Sequence, residues 1–409
     1  MARFTASSSG RPGRASADEP ALPVRVYLDY SGFAPVDPRV LAVMRPFLDG
    51  GVGNPSALHS LGSEARESLE VARVKVARLL GGAASGVIFT SGATEANNLA
   101  IKGVALRAAK AQGHVVTSSV EHISILNPCR DLEKNGFSVT YLRVDGEGRV
   151  DPGDLAAAIR PETVLVSIQA ANPEIGTIQP TAALARIARE RAVPFHVDGV
   201  GAGGRIPLLV DQIGIDLLTL SGNDLYGPPG AGILWVRPGV KLFPQILGGG
   251  QEGGYRSGTE NLPAFVGMGV AAELARLEGQ AEALRLTRLR DRLIEGLLAG
   301  VSGCRLTGPR TERLPHHASV CLRLVKADSV LMDLDLSGVA ASSGSACASK
   351  TLEPSHVLRA IGCDSEEVEG SLCFTLGRWT TAPEIEATLA LVPPIVSRLR
   401  ALVPTRPVS

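Results

Sequence analysis

The stretch VIFTSGATEANNLAIKGVALRAAK (87–110) decides the fold. VIFTS (87–91) is short, apolar and rich in β-branched and aromatic residues, which suits a strand. A turn of small residues follows, and then apolar and alanine positions at helical spacing. A strand that passes through a glycine turn into a helix is the unit of parallel α/β sheets. The turn SGATEANN (91–98) places small residues where backbone N–H groups open a helix, so it can take an anion, with the Thr94 hydroxyl added. The same letters also write an ordinary helix cap.

The unit repeats along the chain. HVVTS (114–118) predicts a strand, and ISILNPCRDLEKNG (123–136) a helix closed by glycine. VTYLRV (139–144), TVLVSIQA (163–170), PFHVDGV (194–200) and IDLLTLSG (215–222) follow at spacings that leave room for crossover helices. Runs such as TVLVSI and LLTLS are apolar on both faces, as expected of strands covered on both sides. Upstream, VYLDY (26–30) reads as an opening strand and GSEARESLEVARVKVARLL (62–80) as an amphipathic helix. This predicts an α/β domain with a mostly parallel sheet over roughly residues 50–265.

Beyond it, NLPAFVGMGVAAELARL (261–277) begins a long helical stretch that reaches about Gly300. ASVCLRLV (318–325), a helix near 328–335, VAASSG (339–344), SLCFTLGR (371–378) and a last helix from about residue 382 predict a smaller α+β domain. The expected division is a disordered tail over 1–24, a large domain over 25–265 whose N-terminal segment is shared with the small one, and a small domain over 266–409. The tail, rich in Ser, Gly, Pro and Arg, has no apolar core and does not read as a secretory signal.

Composition narrows the partners. The chain has 409 residues and formal net charge +0, with 44% hydrophobic and 20% charged residues. Neither nucleic acid nor membrane is suggested by this balance, and no apolar run reaches the length of a span. The six cysteines (129, 304, 321, 347, 363 and 373) form no CxxC pair and read as reduced thiols of a cytoplasmic protein.

Ligand sites in such sheets sit at the carboxyl ends of strands. His122 follows a strand in VEH (120–122), as a stacking imidazole or as a packed surface residue. Asp198 ends a strand in HVDGV (196–200), as the partner of a cationic ring nitrogen or as a capping residue. Cys347 lies in the small, polar stretch SSGSACASK (342–350), either as an accessible nucleophilic thiol or as an incidental surface cysteine. A metal site from Asp198, Asp224, His122 and His196 matches no ligand spacing, so none is expected.

Taken together, these segments resemble the cysteine desulfurases of the NifS/IscS type, within the class V aminotransferases. The likeness runs from about Tyr27 to the last helix. It is carried by GNPSALHSLG (53–62), FTSGATEANNLAIKGVA (89–105), LYGPPGAGILWVR (225–237), GGGQEGGYRSGTEN (248–261), SSGSACASKTLEPSHVLRAIG (342–362) and FTLGRWTT (374–381). The resemblance implies a fold-type-I pyridoxal-phosphate (PLP) enzyme, with a mostly parallel seven-stranded sheet in its large domain. It also implies a homodimer, and a loop cysteine that holds sulfur from cysteine as a persulfide for a protein acceptor. Position by position, Ala93 and Thr94 match the phosphate loop, His122 the ring-stacking imidazole and Asp198 the ring-nitrogen partner. Ser221 matches a further phosphate contact, Thr259 a phosphate ligand given by the other subunit, and Cys347 the persulfide carrier.

One position breaks the pattern. The family reads Ser-Gly-His-Lys before Tyr-Gly-Pro, whereas this chain reads Ser221-Gly222-Asn223-Asp224-Leu225-Tyr226-Gly227-Pro228. A carboxylate forms no imine with PLP, and no lysine lies between Lys134 and Lys241. Four further departures are Pro173 in an Asn-Asn-Glu run, Gly201 in place of a ring-contacting glutamine, Tyr30–Ala34 in place of Asn-Asn-Ala-Thr-Thr, and Cys373 in place of the substrate-carboxylate arginine. The expectation is a degenerate desulfurase homologue, in which PLP binds without a covalent link or not at all. Its role would be sulfur transfer, as a homodimer or paired with an active paralogue. The alternatives are altered chemistry on non-covalent PLP, its amine form or another ligand, with Asp224 as acid or base, and an ordinary desulfurase rescued by another amine.

Overall fold

The computed structural model describes residues 26–50, 53–108, 113–344 and 354–402. Its strands are β1 (Val26–Tyr27), β2 (Val87–Thr90), β3 (His114–Ser118), β4 (Ser138–Leu142), β5 (Thr163–Ser167) and β6 (Phe195–Asp198). They continue as β7 (Leu217–Ser221), β8 (Gly232–Val236), β9 (Cys304–Leu306), β10 (His317–Leu322), β11 (Val339–Ala340) and β12 (Ser371–Thr375). The helices are α1 (Pro38–Leu48), α2 (Ser60–Leu80), α3 (Ala93–Arg107), α4 (Ile123–Lys134), α5 (Pro152–Ala158) and α6 (Thr181–Glu190). After them come α7 (Val210–Ile213), α8 (Leu262–Gly300), α9 (Ala327–Leu336), α10 (His356–Ala360), α11 (Ser365–Glu369) and α12 (Ala382–Ala401).

Seven strands form the main sheet in the order β2-β8-β7-β6-β5-β3-β4. Only β8 runs against its neighbours, pairing antiparallel with β2 and β7. The two-faced apolar runs are buried throughout, as β6, β8 and most of β5 and β7 show. Helices cover both faces, so a strand without polar alternation is stable here.

A second sheet, β12-β10-β9, is antiparallel and belongs to the C-terminal part of the chain. The opening strand β1 joins this part rather than the main sheet, pairing in parallel with β11. A single helix, α8, bridges the two regions. Leu262, Phe265 and Met268 enter the core of the main sheet, whereas Leu286, Leu293 and Leu297 enter that of the second. The exchange of cores thus falls inside one helix, between Ala272 and Leu286. Its approach to α2 depends on Gly269, where an added Cβ would lie 2.6 Å from the Ala72 Cα. Among the described residues, no helix is long and apolar enough to cross a membrane.

Candidate active site

Four strand ends of the main sheet meet at one cleft. β2 passes through Ser91 and Gly92 into α3, whose first turn carries no side-chain cap at Gly92. Its leading N–H groups, at Ala93 and Thr94, therefore point out unsatisfied and favour an anion. Glu95 in that turn is already engaged: its carboxylate accepts from the Ser91 N–H at 2.9 Å and the Arg256 Nε at 3.0 Å. Close passage of β8 supports the turn, since a Cβ on Gly232 would lie 2.6 Å from the Gly92 carbonyl carbon.

β3 leads to His122, the N-cap of α4. Its Nδ1 accepts from the Ser124 N–H at 3.1 Å and lies 2.8 Å from Ser124 Oγ. With Nδ1 accepting, the proton of the neutral ring sits on Nε2. Burial lowers the imidazole pKa, against the opposing pull of Asp198. The result is a neutral ring suited to stacking.

β6 ends in Asp198, which is buried. Oδ2 accepts from Asn97 Nδ2 at 2.8 Å, and Oδ1 from the Val200 N–H at 3.0 Å. The Asn97 amide also donates to Ser124 Oγ at 2.9 Å, which ties the His122 turn to Asp198. Burial pushes the Asp198 carboxyl up despite these donors. Both donors are neutral, and the Asn97 Oδ1 has no partner. A buried carboxylate held by neutral donors fits a cationic ring nitrogen.

β7 ends at Ser221, and a short 3-10 turn, Asn223–Leu225, follows. Asn223 Oδ1 accepts from the Ala34 N–H at 3.2 Å, which fixes the turn to the N-terminal segment. Asp224 sits in this turn, its carboxyl hydrogen-bonded to Ser221. Burial pushes its pKa up to about 7, with Arg205 opposing and Asp198 adding to the rise. The neighbouring cations are committed elsewhere. Arg205 bonds the Tyr226 hydroxyl at 2.6 Å and Glu282 at 2.9 Å, and Arg378 bonds Glu282 at 3.1 Å and Asp37 at 2.5 Å.

Two of the residues singled out in the sequence, Pro173 and Cys373, meet at one imidazole. Pro173 presents its carbonyl to His317 Nε2 at 2.8 Å, and Cys373 Sγ lies 3.2 Å from the same nitrogen. Burial pushes the Cys373 thiol well up and holds His317 down at about 3, so both are neutral. Glu174 accepts from the Ser355 hydroxyl and is pushed up to about 8 by burial. The side chain of Tyr30 is buried edge-on against Tyr27 and Tyr226. This region therefore holds a thiol, a neutral imidazole and carboxyls, with the buried Arg313 guanidinium donating to backbone carbonyls beside His317.

The predicted residues Ala93, Thr94, His122, Asp198, Ser221 and Asp224 thus converge from β2, β3, β6 and β7. Thr259 is exposed on the segment before α8. Cys347 lies outside the described residues. His196 is buried and bonded to Ser167 Oγ at 2.8 Å and Thr219 Oγ1 at 3.0 Å, a packed imidazole of the sheet. No His, Cys, Asp and Glu group able to hold a metal occurs among the described residues.

Three participants escaped the sequence reading. Asn97 was visible only as a letter of the helix motif. Glu121, fully buried, accepts from Ser118 Oγ at 2.6 Å and from the Gln169 N–H, and burial raises it to about 8. Lys102 lines a pocket of about 430 Å³ with Thr94 and His122, its Nζ 2.7 Å from Asp131. Helical periodicity places Lys102 about 12 Å along α3 from Thr94. Its amine is held in that ion pair.

The arrangement fits a phosphorylated pyridine in three respects. The α3 N-terminus suits its phosphate, His122 its ring face and Asp198 its ring nitrogen. At the fourth corner, Asp224 fits no carbonyl-bonding role.

Comparison with known proteins agrees with this geometry. The "Aminotransferase class-V" family matches residues 26–387. Cysteine desulfurase IscS 1 of Archaeoglobus fulgidus is 48% identical over 378 residues, covering 92% of this chain and 98% of the relative. Cysteine desulfurase IscS of Dictyoglomus turgidum is 48% identical over 379 residues, covering 93% and 96%. Among solved structures, a NifS-like protein superposes with TM-score 0.86 at 35% identity, covering 92% of this chain and 100% of that one. SspA in complex with cysteine superposes with TM-score 0.77 at 36% identity, covering 87% and 100%. These relatives share the PLP-dependent type-I fold, and the chain described here belongs to the class-V aminotransferase family, among its cysteine desulfurase-like members.

Proposed function

We propose that this protein is a sulfur-transfer member of its family that holds a B6 phosphate without a covalent bond and does not desulfurate cysteine by the lysine-dependent route. The observation that carries the reading is Asp224, a carboxyl in the turn after β7, where the family's motif register places the cofactor lysine. A carboxyl cannot supply the amine that such a reaction uses as both anchor and proton carrier.

The other residues keep their roles. Ala93 and Thr94 hold the phosphate, His122 covers the ring, and Asp198, set by Asn97, keeps the ring nitrogen protonated. Bound there, the pyridinium ring supplies an electron sink. Cys373 and His317 replace a cationic clamp with neutral groups, which weakens the hold on an amino-acid carboxylate. In this reading Thr259, exposed on the segment before α8, serves a second copy or a lysine-bearing paralogue. Cys347 is the sulfur carrier in this reading.

The test measures alanine release from cysteine with PLP supplied, and persulfide on Cys347 with and without an active desulfurase. The reading expects no alanine, and persulfide only when the active enzyme is present. Alanine release at the rate of a lysine-bearing relative overturns it. A second reading, altered chemistry with Asp224 as acid or base, is favoured by its pKa of about 7, which is matched to proton transfer at neutral pH.

A further inference from the structure

Asp198, at the end of β6, and Asp224, in the turn after its paired neighbour β7, are two carboxyls within electrostatic reach of each other, and burial raises both. Among the described residues, no lysine or arginine forms an ion pair with either. Arg205, the cation whose field reaches Asp224, is bonded to the Tyr226 hydroxyl and to Glu282. Lys102 is bonded to Asp131. On the adjoining side, Cys373 and His317 are neutral, the buried Arg313 guanidinium beside them donates to the Pro309 and Thr307 carbonyls, and one oxygen of Asp29 is buried without a partner. Neither Asp198 nor Asp224 therefore has a cationic side chain as its hydrogen-bonded partner among the described residues.

A ligand that satisfies this cleft must bring cations at two points. A ring nitrogen can serve Asp198. The second point, beside Asp224, lies where the family's covalent link would form. An aldehyde there presents an acceptor oxygen to a carboxylate, and neither group donates when the carboxyl is ionised. A primary ammonium there donates up to three hydrogen bonds and balances the charge.

We propose that Asp224 selects the amine form of the B6 phosphate, pyridoxamine phosphate, over the aldehyde form by pairing with its ammonium group. This rests on the non-covalent reading above. It reverses the chemistry of the lysine-bearing relatives: the amine is on the ligand and the accepting group on the protein. Asp224 acts as a selectivity residue, and Ser221, which shares a hydrogen bond with it, orients the carboxyl.

The test is a binding titration of the full-length protein with three phosphates: pyridoxamine phosphate, PLP, and 4′-deoxypyridoxine phosphate. The third carries a methyl group at the deciding position and leaves phosphate and ring contacts intact. The expected order in the unaltered protein is amine tightest, by roughly tenfold to a hundredfold over both others, the span of one charge-assisted hydrogen bond. In Asp224→Asn the advantage of the amine over the methyl analogue shrinks by about tenfold or more. Because the three-ligand comparison needs no variant, a misfolded Asp224→Asn does not remove the test. Equal binding of amine and methyl forms, or tighter binding of PLP, overturns the selectivity and leaves non-covalent binding standing. An advantage that persists undiminished in a folded Asp224→Asn overturns the role of Asp224. Binding of none of the three removes the non-covalent reading, and the selectivity with it.

Discussion

The Asn97 side chain donates to Asp198 Oδ2 at 2.8 Å, and the same amide reaches Ser124 Oγ at 2.9 Å. One helix residue thereby aligns the carboxylate at the end of β6 with the turn that carries His122. Asn97→Ala leaves one oxygen of a buried carboxylate without its donor. The expected cost is about 1–3 kcal/mol of stability, read by denaturant unfolding. B6-phosphate affinity should fall as well, since Asp198 then holds its charge less readily.

The pH dependence of stability provides a second check. Asp224 has a folded pKa of about 7, above its ordinary value. A raised carboxyl binds its proton more tightly in the folded chain than in the unfolded one. Its contribution is complete below the unfolded pKa and is lost as pH rises through the folded pKa. The protein should therefore lose about 1 kcal/mol relative to Asp224→Asn between about pH 6 and pH 8. Parallel unfolding curves of the two proteins at each pH measure this; equal slopes would contradict the raised carboxyl.

Restoring the amine separates anchor from activity. With PLP and borohydride, the unaltered protein should yield no adduct at residue 224, nor at Lys102, whose amine pairs with Asp131. Asp224→Lys should form a reducible PLP adduct at residue 224, detected by peptide mass spectrometry. Alanine release should still stay roughly tenfold to a hundredfold or more below a lysine-bearing relative, because Cys373 provides no carboxylate clamp. Full activity from this one change would show that Pro173, Gly201 and Cys373 are minor.

Thiol reactivity should follow local electrostatics. Cys363 receives a bond from Arg305 Nη2 at 2.8 Å and is hydrogen-bonded to Cys321, and both contacts lower its pKa. Burial pushes Cys129 up to about 12 and Cys304 up to about 11. Cys321 and Cys373 are raised and buried as well. Iodoacetamide at neutral pH should therefore label Cys363 first among these five, and Cys373 only after unfolding. Time-resolved peptide mapping reads the order. Early labelling of Cys373 would contradict its burial against His317.

Much of the fold was legible because its signals are local. Apolar runs of four to eight residues, glycine turns and helical spacing mark the strands and helices wherever they pack. Flanking motifs also set the register of Asp224, since Ser221-Gly222 and Tyr226-Gly227-Pro228 leave no room for a shift. The opening strand could be read as extended and its segment as shared with the small domain, but not given a partner strand. Val26–Tyr27 pairs with Val339–Ala340, and no local pattern specifies a partner so distant in sequence.

By itself, then, the sequence determined the α/β class, the family likeness, the residues at each strand end and a carboxylate at the turn after β7. Only the tertiary structure decided which of them share an environment. Asn97 meets Asp198 across 101 positions, and Cys373 meets His317 across 56, because helix packing and strand order bring them together. Burial then decided their charge. The same Asp is an ordinary acid in water, but is raised to about 7 beside Ser221, Arg205 and Asp198. Desolvation and charge coupling depend on distances in space, which a linear pattern of residues does not contain.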